Sequence, residues 1–189
     1  MKAAFIDRDG TILSNEDHLR REDDYSPTFN VFKGIRMLKN LGFLPVIITN
    51  QSGVARGYYG EDFVELIKNK MGRDLACEGV DTFAHYYCPH HPTVGLFPYK
   101  MQCTCRKPEA GMVYKAAKEF DINLQESIVI GDSTTDYGLA KNAEINFYLV
   151  ATGTGKKFVR EIEEEKNPLY CGYFDNLFTV AESIAASKK

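Results

Sequence analysis

Two aspartates near the start of the chain are the residues best suited to do chemistry. Asp7 and Asp9 stand in the string Asp-Arg-Asp-Gly-Thr, directly after the apolar run 3–6. Their like charges repel one another, and burial raises the cost unless a cation or a proton lies between them. A divalent metal ion together with a phosphoryl group resolves this conflict. One aspartate then attacks phosphorus, and the other carries a proton.

Three further short motifs carry groups that suit a phosphate or a metal ion. Thr49-Asn50-Gln51-Ser52 follows a second apolar run and offers hydroxyl, amide and backbone N–H groups. Arg106 and Lys107 precede a proline, and Asp132 ends a Val/Ile-rich run, four residues before Asp136. Each motif alone has an ordinary explanation as a turn, a solvated basic pair or a helix cap. Their combination favours a phosphate site that contains a metal ion. The oxygen ligands on offer suit Mg²⁺.

Three cysteines and a histidine form a second cluster of potential ligands, in the order Cys88, His90, Cys103 and Cys105. Three thiolates and one imidazole make a closed tetrahedral Zn²⁺ site, so we expect a structural role. The alternatives are that His91 replaces His90, or that the cysteines are scattered reduced thiols. A rigid zinc loop over 88–105 would fix Arg106 and Lys107 beside the phosphate site.

Alternating strands and helices must position these groups. The apolar patterns predict strands at 2–7, 43–49, 82–87, 127–131 and 145–150, helices at 31–41, 61–76, 110–120, 135–143 and 176–187, and a polar loop at 10–29. This order is typical of an α/β, Rossmann-like fold, with a mainly parallel sheet and helices on both faces. Ligands bind beyond the carboxyl ends of such strands, so the strand-end residues Asp7, Asp9, Thr49, Asn50 and Asp132 are predicted to meet at one mouth.

Length and composition narrow the class of protein. The 189 residues, 44% of them hydrophobic, predict one domain over 1–189 with a full core. The net charge of −3 and the lack of a long basic run argue against a nucleic-acid partner. No apolar run approaches the ~20 residues of a membrane span, and the chain begins with a strand rather than a secretory signal. We therefore expect a cytoplasmic monomer without a large cap domain.

The order of the four motifs resembles that in the haloacid dehalogenase-like (HAD-like) phosphatases. The resemblance implies that Asp7 is the nucleophile and forms an aspartyl-phosphate, while Asp9 is the general acid and base. It also implies that Thr49 and Lys107 stabilise the phosphoryl group. Asp132 would bind Mg²⁺ together with Asp7 and the backbone carbonyl of Asp9.

Longer strings narrow this resemblance to the family of heptose-bisphosphate and histidinol-phosphate phosphatases. They lie at 7–12, 49–57, 88–92, 103–108 and 129–132. The resemblance implies release of the 7-phosphate from D-glycero-D-manno-heptose 1,7-bisphosphate, and Arg106 would recognise the distal part of the substrate. The candidate substrate contacts are Asn15, Glu16, Asp17, His18, Asn50, Gln51, Ser52, Arg106, Lys107 and Ser133. Ser133 departs from the family, in which a basic residue often follows the last motif's aspartate.

Two alternatives stay open at this point. One is the same chemistry on histidinol phosphate or another small phosphate ester. The other is a zinc-containing binding module without catalysis, although such a module has no need of Asp7, Asp9, Lys107 and Asp132 together.

Overall fold

The computed structural model describes residues 1–15 and 19–187, which build a six-stranded parallel sheet flanked by helices. The strands are β1 (Lys2–Asp7), β2 (Phe43–Asn50), β3 (Ala84–Cys88), β4 (Ile128–Gly131), β5 (Asn146–Val150) and β6 (Tyr170–Phe174). The helices are α1 (Val31–Asn40), α2 (Glu61–Cys77), α3 (Gly111–Phe120), α4 (Thr134–Ala143), α5 (Gly155–Glu164) and α6 (Leu177–Ala186). Short 3₁₀ turns lie at Glu22–Asp24 and Leu124–Glu126. The strand order is β3-β2-β1-β4-β5-β6.

Alternation along the central strands divides the apolar side chains between two cores. On β1, Ala4 and Ile6 face the core that includes α1, α2 and α6, whereas Ala3 and Phe5 face the core that includes α3, α4 and α5. All four side chains are fully buried. Because β1 is covered on both faces, its residues 3–6 are all apolar, as expected for a parallel strand in the middle of a sheet.

The structure confirms the parallel sheet with helices on both faces, and each predicted element is present with ends within two residues of those expected. Two elements were not predicted, α5 and β6. The signal for α5 was present, because Phe158, Val159 and Ile162 lie on one helical face and pack against the core of α3 and α4. β6 is a short edge strand interrupted by Gly172 at φ 127°, which weakens the strand pattern.

The order of the strands explains where the polar strand ends meet. β1 pairs with β2 on one side and with β4 on the other, so the segments after Asp7, Asn50 and Gly131 leave adjacent strands at the same edge. This is the edge at which α/β sheets bind ligands. Within the described part of the chain, no helix combines the length and the apolar character needed to cross a membrane.

Candidate active site

Lys107 lies at the centre of the candidate site, with its ammonium group buried between two carboxylates. Its Nζ donates to Asp7 Oδ1 at 2.5 Å and to Asp136 Oδ1 at 2.7 Å. A third donation reaches the carbonyl oxygen of Ile48 at 3.3 Å. Burial disfavours the charged ammonium, but the carboxylates of Asp136 and Asp7 outweigh it and raise the pKa of Lys107 above its usual value. Lys107 is therefore a cation at neutral pH.

The backbone around Asp132 is shaped to admit its carboxylate. A Cβ added to Gly10 or to Gly153 would come within 2.3 Å of Asp132 Oδ2, and both glycines have positive φ. The backbone N–H and the hydroxyl of Thr154 donate to the same Oδ2 at 2.6 and 2.9 Å. Two glycines from separate loops thus create the space that this carboxylate occupies.

The buried carboxylates hold more negative charge than their protein partners neutralise. Burial, opposed by Lys107 and reinforced by Asp136, raises the pKa of Asp7 well above its usual value. Burial and the charge of Asp136 likewise raise the pKa of Asp132 to about 6. Both shifts mean that burial and the neighbouring carboxylates outweigh the positive charge of Lys107.

These donors fit a hard divalent cation. One oxygen each of Asp7, Asp132 and Asp136 lies within 4.8 Å of the others. The wider site sets four carboxylates against two cationic side chains: Asp7, Asp9, Asp132, Asp136, Arg8 and Lys107. A divalent ion would neutralise that excess, and carboxylate oxygens are ligands that Mg²⁺ prefers.

The Asp9 carboxylate is held by Arg8 and Gln51. Arg8 is 1% exposed and donates from Nε to Asp9 Oδ1 and from Nη2 to Asp9 Oδ2, both at 2.9 Å. Gln51 Nε2 donates to Asp9 Oδ2 at 2.8 Å and to Thr49 Oγ1 at 2.7 Å. The Gln51 side chain is fully buried, so a role in positioning Asp9 and Thr49 fits its place better than the expected contact with substrate.

The side chains of Asn50 and Ser133 hydrogen-bond to Lys107 and Asp136, respectively. Asn50 accepts from the backbone N–H of Lys107 and donates to its carbonyl, both at 3.0 Å, and thereby fixes the main chain of that lysine. Ser133 caps α4 and its hydroxyl lies 2.5 Å from Asp136 Oδ2, so it supports the carboxylate that holds Lys107. Both residues lie at the site, and their observed partners are protein groups.

The remaining expected substrate contacts are placed as follows. Ser52 is buried in the loop after β2, and Asn15 donates to the carbonyl of Asp24 at 3.2 Å. Glu16, Asp17 and His18 lie outside the described residues.

The four predicted zinc ligands come together at the end of β3. The sulfurs of Cys88 and Cys105 lie 3.5 and 3.3 Å from that of Cys103, and His90 Nδ1 lies 3.7 and 3.4 Å from Cys88 and Cys105. A tetrahedral site with Zn–S bonds of about 2.3 Å has ligand separations of about 3.8 Å. The hydrogen bond between Cys88 and Cys105 lowers the pKa of the Cys105 thiol to about 5 and raises that of Cys88, so one thiolate is shared between the two sulfurs. A bound metal ion would favour the thiolate form of all three cysteines.

His91, the alternative ligand, is used elsewhere. Its Nδ1 accepts from the backbone N–H groups of Thr93 and Val94 at 3.2 and 3.0 Å, and its Nε2 lies 3.1 Å from Arg56 Nη2. His91 therefore holds the turn of the 88–105 loop and fastens it to the segment after β2, and the cluster takes His90.

Arg106 joins the cysteine cluster to the mouth of the site. Its Nη1 donates to the carbonyl of His90 at 3.1 Å, and its side chain lines an open depression of about 380 Å³. Met101, Gln102 and Lys107 also line this depression. It provides a space next to Lys107 that a second part of a ligand can occupy.

Two residues of the site were missed from the sequence. Arg8 lies inside the first motif, but a basic residue between two aspartates is usually solvent-exposed, so its complete burial was not expected. Thr154 follows β5 in a segment for which no element was predicted. A signal for Arg8 was available, since two aspartates in a buried turn need a local cation.

Comparisons with known proteins agree with this geometry. A family model described as HAD-hydrolase-like matches residues 104–177. The D-glycero-alpha-D-manno-heptose-1,7-bisphosphate 7-phosphatase of Photorhabdus laumondii is 36% identical over 186 residues, covering 97% of each chain. The chain belongs to this family of HAD-like heptose-bisphosphate phosphatases.

Family members named for the other anomer are equally similar. The D-glycero-beta-D-manno-heptose-1,7-bisphosphate 7-phosphatase of the same organism is 38% identical over 187 residues, covering 99% of this chain and 97% of that one. Among solved structures, the D,D-heptose 1,7-bisphosphate phosphatase of B. bronchiseptica, complexed with magnesium and phosphate, superposes with a TM-score of 0.83 at 32% identity. That match covers 99% of both chains and therefore includes the segment 88–105 of this chain.

Proposed function

We propose that this protein is a Mg²⁺-dependent phosphatase that releases the 7-phosphate of D-glycero-D-manno-heptose 1,7-bisphosphate. The observation that carries the proposal is the buried Asp7 carboxylate, held 2.5 Å from Lys107 Nζ at the mouth of the sheet. A carboxylate at the end of a strand, beside a permanent cation and two more carboxylates, is suited to attack a phosphoryl group. Relatives named for this activity cover nearly the whole chain.

In the proposed reaction, an Asp7 oxygen attacks phosphorus, and the bond from phosphorus to the sugar oxygen breaks. Asp9 gives its proton to that leaving oxygen. Asp9 then takes a proton from water, whose oxygen attacks the aspartyl-phosphate, so that inorganic phosphate leaves and Asp7 is regenerated. The Lys107 ammonium and the Thr49 hydroxyl donate to the phosphoryl oxygens and stabilise the charge that repels the nucleophile.

The divalent ion would be held by Asp7, Asp132 and the backbone carbonyl of Asp9, with Asp136 close by. When bound, it supplies positive charge that offsets repulsion between the Asp7 carboxylate and the phosphate dianion.

Arg106 is proposed to select the bisphosphate. Its guanidinium lines the depression beside Lys107, and a planar fork of donors suits a second phosphate. Asn15, Ser52 and the segment 16–18 stay candidate substrate contacts on the strength of the sequence alone.

We propose Zn²⁺ for the cluster of Cys88, His90, Cys103 and Cys105, in a structural role. All four positions of a tetrahedral ion would be filled by protein. The ion would fix Arg106 and Lys107, which follow Cys105 directly. We also propose a cytoplasmic location, since the relatives are bacterial metabolic enzymes, and a monomeric state, which size-exclusion chromatography would test.

A phosphate-release screen tests the proposed function. The substrates are both anomers of the heptose bisphosphate, sugar monophosphates and histidinol phosphate, with Mg²⁺ and with chelator. We expect the bisphosphate to be preferred and the chelator to remove the activity. A preference for histidinol phosphate, or release without Mg²⁺, would contradict the proposal.

Substitution of the nucleophile completes the test. Asp7→Asn should abolish release while the protein stays folded, and Asp175→Asn, at an exposed aspartate beyond β6, should leave it unchanged. Full activity in Asp7→Asn would show that another residue attacks phosphorus.

A further inference from the structure

The Gln51 side chain links Asp9, the candidate general acid, to Thr49, a candidate phosphate-binding residue. Its Nε2 contacts Asp9 Oδ2 and Thr49 Oγ1, and its Oε1 contacts Arg8 Nη2 at 2.8 Å and the Tyr59 hydroxyl at 2.9 Å. No atom of this side chain is exposed to solvent. Four hydrogen bonds therefore fix one amide group between four polar partners.

The chemistry of those partners fixes which way the amide faces. Arg8 has only donors, so the atom that it contacts must be the amide oxygen of Gln51. Burial raises the pKa of Tyr59 to about 12, and its hydroxyl therefore stays protonated and donates to the same oxygen. The amide NH₂ must then face Asp9 and Thr49.

This orientation decides how each catalytic partner can act. Because Thr49 Oγ1 accepts from Gln51, its own hydrogen is left to donate outward, toward a phosphoryl oxygen. A carboxylate has about four lone-pair sites, two on each oxygen. Arg8 Nη2 and Gln51 fill both sites on Asp9 Oδ2, whereas Arg8 Nε fills one on Oδ1. Counting the side-chain hydrogen bonds between described residues, one site is left, on Oδ1.

We propose that Gln51 is a positioning residue that makes Asp9 Oδ1 the oxygen that carries the proton and turns the Thr49 hydroxyl hydrogen toward the substrate. This inference rests on the proposed phosphatase function. Gln51 itself touches no substrate, and it acts through Asp9 and Thr49. Arg8 and Tyr59 act one step further back, because they hold the amide of Gln51 in this orientation.

Leaving-group dependence distinguishes this role from a purely structural one. A sugar oxygen must be protonated as it leaves, whereas the nitrophenolate of p-nitrophenyl phosphate leaves with little help. The value of kcat/KM covers the steps up to phosphoryl transfer. We expect Gln51→Leu to lower kcat/KM on the sugar bisphosphate at least about fivefold more than on p-nitrophenyl phosphate, within the range of general acid catalysis.

Three further variants distinguish the positioning role from a loss of activity caused by unfolding. Gln51→Glu keeps the shape and the contacts of Oε1 but cannot donate to both Asp9 and Thr49, and it should show the same change in preference. Tyr59→Phe removes one hydroxyl only, and it should shift the preference in the same direction by a smaller factor. Thermal melting identifies variants that unfold. In an Asp9→Asn background, Gln51→Leu should leave the ratio of the two substrates unchanged, because the proton carrier is already lost.

The outcomes separate this inference from the function on which it rests. If the unaltered protein releases phosphate from neither substrate, the proposed function and this inference both fail. If the unaltered protein is active but kcat/KM falls equally on both substrates in Gln51→Leu and Gln51→Glu, or does not fall, only the positioning role is overturned. A shift of the kcat/KM ratio toward p-nitrophenyl phosphate in both Gln51 variants supports the positioning role.

Discussion

Removal of the buried ammonium group of Lys107 tests the charge balance of the site. In Lys107→Met the side chain keeps a similar length, but the donor to Asp7 and Asp136 is lost. All three side chains are at most 8% exposed, so water cannot replace that donor without rearrangement. Deleting one partner of a buried ion pair costs about 3–5 kcal/mol, because the remaining charge is left unpaired.

The destabilisation should depend on pH, with a sign that follows from the two kinds of group. The pKa of Lys107 is raised above 10.5, so the stability that its charge contributes is fully present at every pH below that value. The pKa of Asp7 is also raised, so in the variant this carboxyl takes up a proton as the pH falls. A protonated Asp7 needs no cation. The loss of stability should therefore be smaller at pH 5 than at pH 8.

Urea unfolding followed by circular dichroism measures the loss at both pH values. For a chain of this size, 3–5 kcal/mol corresponds to a fall in Tm of roughly 6–20 °C. Lys118→Met, at an exposed lysine on α3, is the matched control and should change the free energy of unfolding by less than about 0.5 kcal/mol. In an Asp136→Asn background, Lys107→Met should cost less, because one unpaired carboxylate is gone. A loss below about 1 kcal/mol at pH 8, or an equal loss at both pH values, would refute this reasoning.

Three other predictions follow from the structure. Because the pKa of Asp132 is raised to about 6, the free energy of unfolding without metal should fall by about 3 kcal/mol as the pH rises from 4 to 6. Mg²⁺ should therefore raise Tm more at pH 7 than at pH 5, and an equal rise at both pH values would contradict this. Cys103→Ser should reduce zinc to well below one ion per chain in elemental analysis, whereas Cys171→Ser, at an exposed cysteine, should not. Gly10→Ala should lower phosphate release at least about tenfold, since its Cβ would meet Asp132. Gly79→Ala, which has positive φ but open space around it, should leave release unchanged and so isolates the clash from the backbone strain.

The sequence predicted the parts of the site that follow from strand ends. Asp7 and Asp132 end or follow apolar runs, and parallel strands bring such ends to one edge. His90 and the three cysteines were predictable because thiolate and imidazole ligands within a short loop have few other uses. These inferences needed only residue type, spacing and the parallel direction of the strands.

The partners of those groups were less predictable, because they depend on contacts across long separations. The Lys107 side chain crosses about one hundred residues of sequence to Asp7, and Gln51 reaches Asp9 from a different strand. Polar side chains in loops have many possible partners, and nothing in the sequence states whether an amide faces substrate or protein. Gln51 and Asn50 were for this reason expected at the substrate, and their hydrogen bonds to Asp9 and to the main chain of Lys107 could not be foreseen.

The position of Lys107 would also explain the use of a metal site without an open ligand position, if the proposed zinc ion is bound. Asn50 fixes the lysine's main chain from the end of β2, and Cys105 would fix it from two residues upstream. In the proposed reaction, the Lys107 ammonium stays within hydrogen-bonding distance of Asp7 while a phosphate dianion enters and leaves. A loop attached at one end only would shift its position as the charge in the site changes. A closed metal site would supply the second attachment without adding a positive charge that competes for substrate, since three thiolates on a divalent ion leave a net charge of −1. With a metal ion bound, the cysteine cluster and Asn50 would together restrain Lys107, and the loss of either should loosen the same ammonium group.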